Sequence, residues 1–151
     1  MQYHTHLAFS GMVGLSMMDW AQVPDPTSYF FGLAIGALLP DIDHPKSKIS
    51  NKVPILPSII SRFFTHRTFF HSLLFVGILT FLYGLLPASL VTGIIFGTAS
   101  HILGDMLTPA GVKLFYPFGL YIRLPLTFKT GGSIEQICFF TFIFISYKLI
   151  S

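Results

Sequence analysis

The chain has 151 residues, of which 52% are hydrophobic, 16% aromatic and only 10% charged, at a mean hydropathy of +0.70. Soluble domains carry about 25% charged residues, so this composition excludes an ordinary soluble enzyme and a disordered chain, and points to a lipid-embedded protein. The net charge of +3 is spread over loops, where it reads as a topology signal rather than a nucleic-acid surface, and no nucleic-acid partner is expected.

In chain order, residues 7–20 form a first apolar stretch, ended by Asp19 and the turn-like Pro24-Asp25-Pro26. Residues 29–39 form a second, stopped by Pro40-Asp41-Ile42-Asp43-His44-Pro45. A polar connection with Lys46, Lys48 and Lys52 follows, and within it residues 59–65 suit a short interfacial helix. Residues 68–86 and 88–103 are the third and fourth stretches, with Pro87 between them. A Gly-, Pro- and aromatic-rich segment covers 108–132, and residues 134–150 are the last apolar stretch. Cys138 lies in that stretch as the lone cysteine, so no internal disulfide forms. A cleaved signal peptide is not expected, because the N-terminus has no basic region ahead of its apolar stretch.

From Ser72 to Ser100 the chain has no Asp, Glu, Lys, Arg or His over 29 residues. This run reads as a tight helical hairpin around Tyr83-Gly84-Leu85-Leu86-Pro87, each half with its polar flank having about 20 residues, enough to cross a bilayer. The expected fold class is therefore all-α: one polytopic integral membrane domain over 1–151, with about five membrane segments. The first two are short for full spans and call for tilt or a thin bilayer. Five segments put Lys46, Lys48, Lys52, Arg62, Arg67, Lys113, Arg123 and Lys129 on one side and only Lys148 on the other. The positive-inside rule makes the cation-rich side cytoplasmic in a multi-pass membrane protein.

All six histidines fall near segment ends on that same face. They stand as His4-x-His6, Asp41-x-Asp43-His44, His66-Arg67-x-x-x-His71 and His101-x-x-x-Asp105. Ionisable groups at the edge of a membrane domain are costly to desolvate and point to function. Imidazole with carboxylate suits Zn2+, Mn2+ or Fe2+, and the near absence of thiols excludes a cysteine-rich structural site. His101 and Asp105, four apart, share one helical face. His66 and His71, five apart, do not, so His66 is placed before the helix, with Thr68 as its N-cap and His71 in the first turn. His6, Asp41, Asp43, His44, His71, His101 and Asp105 are the candidate ligands, more than the four a structural zinc site needs. His66 is a further ligand or an acid–base group. Arg67 suits a phosphate oxygen through its guanidinium fork, and Lys113 is a weaker candidate for that task. Glu135, after Gly131-Gly132, is a candidate general base or supporting carboxylate. His4 reads as a solvated interfacial group.

The combination of His6, Pro40-Asp41-Ile42-Asp43-His44, His66-Arg67-Thr68-x-x-His71-Ser72 and His101-x-x-x-Asp105-x-x-Thr108-Pro109-x-Gly111 resembles the YdjM family. The likeness continues through 112–118 and into Thr130-Gly131-Gly132 followed by Glu135. The resemblance implies a membrane-bound, metal-dependent hydrolase of bacteria or archaea, with its histidines and aspartates as ligands, and leaves the substrate open. His101-x-x-x-Asp105 is also similar to a pair in zinc-dependent phospholipase C, a looser analogy.

The expectation is a hydrolase with one or two divalent ions at the cytoplasmic membrane face. Metal-activated water attacks a phosphoester or related bond of a lipid or amphiphile. The alternative is a non-enzymatic metal-binding membrane protein, a transporter or sensor. Transport is disfavoured because the ionisable residues lie at segment ends rather than at the bilayer midplane. A third class, a structural or partner-binding protein with incidental histidines, predicts that His101→Ala and Asp105→Ala leave metal content and activity untouched. The oligomeric state is not legible.

Overall fold

Proline and small polar residues set the helix boundaries. The computed structural model describes residues 1–43 and 67–151, and among these are five α-helices and no strand. They are α1 (Tyr3–Met17), α2 (Pro26–Leu38), α3 (Leu73–Leu79), α4 (Ala88–Met106) and α5 (Ser133–Ile150). Short 3-10 turns cover Leu39–Asp43, Phe69–His71 and Thr80–Gly84. The expected helix over 59–65, together with His44 and His66, lies outside the described residues, as does the side chain of Asp43.

α2 starts where Asp25 accepts the amides of Thr27 and Ser28 at 3.1 and 3.3 Å, with Pro26 in the first turn. Two expected starts are corrected. α1 begins at Tyr3 rather than at residue 7, so His4 and His6 are inside the helix; Glu135 accepts the Gln2 amide at its entrance at 2.6 Å. α3 begins at Leu73, capped by the Ser72 hydroxyl on the Phe75 amide at 3.2 Å, not at Thr68. His71 accordingly sits in the preceding 3-10 turn rather than in the helix.

The uncharged run does fold as a hairpin. The chain turns between the Thr80–Gly84 3-10 turn and Pro87, the N-cap of α4, and the hydroxyls of Tyr83 and Thr92 join the legs at 3.0 Å. The legs are unequal, however: α3 has 7 residues and α4 has 19. Among the described residues only Ser133–Ile150 is both long and apolar enough to cross a membrane unaided. α1 and α2, at 15 and 13 residues, reach roughly 22 and 20 Å against a hydrocarbon core of about 30 Å. α4 has the length, but Gly, Ser, Thr, His101 and Asp105 interrupt its apolar course.

α4 is the central element. Gly32 and Gly36 of α2 face Gly93 and Gly97 of α4, and a Cβ on any of the four would collide with backbone of the other helix. Two small-xxx-small pairs thus bring the backbones into direct contact, a device suited to a setting where apolar burial drives no helix association. α1 closes on this pair through the Tyr29 hydroxyl, which donates to the Gly14 carbonyl at 3.1 Å. α5 lies along α1, with Phe142 against Phe9 and Phe139 edge-on to His4. Residues 108–132 are irregular, held by an antiparallel bridge between Val112 and Ile122. The Leu124 and Phe128 amides bond to the last carbonyls of α4 region, Met106 and Leu107, at 2.8 and 3.0 Å. The start of α1, the end of α2, the entrance to α3 and the end of α4 therefore meet at one end of the bundle.

Candidate metal centre

His101, one turn before the end of α4, occupies the middle of that end. Its Nδ1 lies 2.7 Å from the Ala37 carbonyl at the end of α2. A carbonyl only accepts, so Nδ1 carries the proton and Nε2 presents a bare lone pair. Around Nε2 stand Asp41 Oδ1 at 3.6 Å and Asp105 Oδ2 at 3.9 Å. The His6 ring stacks on the His101 ring, with centroids 3.7 Å apart and planes within 5°. The His71 ring meets His101 edge-on at 5.1 Å.

Asp105 gathers the remaining contacts. Its Oδ1 accepts the Met1 backbone nitrogen at 2.6 Å and lies 3.4 Å from His6 Nε2. Its Oδ2 lies 3.1 Å from Arg67 Nε and 3.4 Å from His71 Nε2. His6, His71, His101 and Asp105 are each at most 1% exposed, whereas Asp41 is 22% exposed and opens the cluster outward. His6 faces into the bundle past Gly104, where any Cβ would press on the His6 ring.

These residues fit a divalent cation. Two groups, His6 with Asp41 and His101, and His71 with His101 and Asp105, each bring their ligand atoms within 4.8 Å of one another. Two ligands on one tetrahedral ion at bond lengths near 2.1 Å stand roughly 3.4 Å apart. The contacts of 3.4 to 3.9 Å here lie close to that spacing. Nδ1 of His6 and Nε2 of His101 also lack a hydrogen-bond partner among the described residues. A buried polar atom in that state costs about 1–3 kcal/mol, which a metal bond removes.

Of the expected ligands, His6, Asp41, His71, His101 and Asp105 converge. Asp43 is described only as the last residue of a 3-10 turn, and nothing further is described of His44 or His66. Arg67, expected at a phosphate, spends Nε on Asp105 and donates through Nη1 to the Thr108 hydroxyl at 2.8 Å. Thr108 in turn donates to the Asp105 carbonyl at 2.8 Å. Glu135 is 1% exposed and holds the Gln2 and Gly131 amides at 2.6 Å each, so it ties α1 to α5. Lys113 places its ammonium 5.6 Å from the Tyr121 ring centroid. The sequence reading missed Thr108 and the Ala37 carbonyl as supports. It also missed the four glycines, although their paired four-residue spacing is visible in the sequence.

The fold is thus helical, with one described helix long and apolar enough to cross a membrane and, at one end, a buried imidazole–carboxylate cluster able to hold a metal ion. The chain belongs to the YdjM inner membrane protein family, whose pattern it matches over residues 1–150. It is 44% identical over 115 residues to the uncharacterized protein YvsG of Bacillus subtilis (strain 168), covering 75% of this chain and 72% of that one. It is 43% identical over 115 residues to the inner membrane protein YdjM of Escherichia coli (strain K12), covering 70% of this chain and 59% of that one. The Shigella flexneri YdjM matches to the same extent. No solved structure matches.

Proposed function

We propose that the protein is a multi-pass, metal-dependent hydrolase of the inner membrane, acting on a phosphoester or related bond of a lipid or amphiphile. The observation that carries this reading is the buried donor set around the bare Nε2 of His101. His101 belongs to both donor groups, and its Nδ1 is engaged, so Nε2 serves one ion at a time. The reading is therefore a single ion shared among His6, Asp41, His71, His101 and Asp105, with Zn2+ preferred over Mn2+ or Fe2+ by the donor chemistry. Bound there, a divalent cation supplies Lewis acidity and lowers the pKa of water at the site.

The protein's own groups do the rest. Ala37 fixes the His101 tautomer, and Arg67 with Thr108 holds Asp105 in place. Asp41, 22% exposed, is the ligand that opens the cluster outward. His66, next to Arg67 in the chain, is the group assigned to proton transfer. An amphiphilic substrate is favoured by a groove of about 370 Å³ lined by Phe31, Ala34, Ile35, Leu38, Leu39 and Ile42. Ile42 follows Asp41, so an alkyl chain lying in the groove ends beside the polar cluster. Exposed Phe31, Ile35, Leu73, Leu74, Ile78 and Phe81 give α2 and the α3 leg lipid-compatible outer faces, which supports several membrane segments.

Elemental analysis of the detergent-purified protein beside His101→Ala and Asp105→Ala variants tests the reading, together with hydrolysis of phosphoester lipids. A stoichiometric metal and a hydrolysis that both vanish in the variants are expected. Metal without hydrolysis would favour a transporter or sensor, and no metal after reconstitution would overturn the site.

A further inference from the structure

Residues 106–134 contain Lys113, Arg123 and Lys129 and no acidic residue. Within this stretch Phe118, Leu120 and Leu126 are 78%, 86% and 83% exposed, among the most exposed large apolar side chains described. They are held outward. The Val112–Ile122 bridge and the bonds from the Leu124 and Phe128 amides to Met106 and Leu107 fix the loop's backbone to the end of α4, so these tips do not turn back into the bundle.

The position of the loop relative to the bilayer follows from α5. That helix is the one described element long and apolar enough to cross a membrane by itself, and it begins at Ser133, four residues after Lys129. The start of a span lies at the headgroup level, so the loop that leads into it lies there too. Aromatic and basic residues are enriched at that level because their apolar bodies sit among acyl chains while their polar ends reach headgroups. Lys113 over the Tyr121 ring has this arrangement built in, and Arg123 and Lys129 are exposed in the same loop.

We propose that the loop over residues 113–129 is a membrane-interface anchor that inserts Phe118, Leu120 and Leu126 below the headgroups and binds anionic phospholipid through Lys113, Arg123 and Lys129. Polybasic segments next to a span gain attraction to anionic lipid with each cation. Because the loop is bonded to the end of α4, the anchor would set the depth of the cluster around His101. The inference rests on the loop and on α5, and stands whether or not the cluster hydrolyses anything.

The test places tryptophan at the tip, Phe118→Trp in a Trp20→Phe background, in the full chain reconstituted into phosphatidylcholine–phosphatidylglycerol vesicles. One or the other lipid is brominated just below the glycerol. Strong quenching is expected, several-fold greater from brominated phosphatidylglycerol than from brominated phosphatidylcholine at equal mole fraction. The difference should vanish when Lys113, Arg123 and Lys129 are all changed to glutamine. A tryptophan unquenched by bromolipid but quenched by aqueous iodide would overturn the anchor. Equal quenching by the two lipids would overturn the anionic preference. Leu120→Trp repeats the measurement if the first variant fails to fold.

Discussion

Asp105 joins Met1, three imidazoles and Arg67 through its two oxygens. Its charge, rather than its size, is what a cation would need. Asp105→Asn keeps an acceptor for Arg67 while removing that charge, so it should fold yet lose bound metal, read by elemental analysis. The support around Asp105 should matter as well. Partners that orient a ligand typically contribute 10–100-fold in metal affinity, so Arg67→Gln should weaken metal binding about ten-fold or more in competition with a chelator. His4→Ala should leave the stoichiometry unchanged, since its ring lies against Tyr3 and Phe139 rather than in the cluster.

At the scale of elements, the close approach of α2 and α4 is what carries the Ala37 carbonyl to His101. Gly97→Val would drive side-chain atoms into the Leu33 carbonyl and the Ala37 amide. Overfilling of that kind costs about 1–3 kcal/mol or more, so the thermal midpoint in detergent should fall and metal retention with it. Gly11→Ala is the contrast: nothing lies within 4 Å of its added Cβ, and in a helix the change should stabilise by up to about 1 kcal/mol. Asp25 governs the start of α2. The Ser28 hydroxyl and amide bonds hold its carboxyl below the usual range. Its folded value being the lower one, its contribution is complete above the ordinary carboxylate value and is lost as pH falls through the folded value. Asp25→Ala should therefore lower the thermal midpoint at neutral pH, with a smaller effect in strong acid, and Asp25→Asn should lower it less. The sequence made the local part of this legible. His101 and Asp105 share a face because of helical periodicity, and Pro87 marks the hairpin because it cannot continue a helix. The start of α1 was hidden because Glu135 fixes it from 133 residues away. The His6–His101 stack was hidden because it depends on how three helices dock, although the paired glycines that set part of that docking stand openly in the chain.

For the whole molecule, the distribution of charge and the course of the hairpin make one connected claim. Arg67, Lys113, Arg123 and Lys129 lie at the end that holds the cluster, and Lys148 lies in the last turn of α5, a membrane-length helix away. The turn around Leu85 lies at the other end of α4 from His101. If the α3–α4 hairpin enters the bilayer with α5, Leu85 and Thr130 should face opposite sides of it. Both are exposed in the folded protein, so a cysteine at either place is reachable by a reagent. In a Cys138→Ser background, an impermeant maleimide added to intact cells should label Leu85→Cys and spare Thr130→Cys until the membrane is opened. That pattern would put the cluster on the cytoplasmic face, as positive-inside distribution requires. Labelling of Thr130→Cys alone in intact cells would reverse the orientation while keeping the crossing. Labelling of both or neither would place the hairpin turn and the cluster on one side, leaving α5 to span by itself and the unequal leg of α3 as the physical reason.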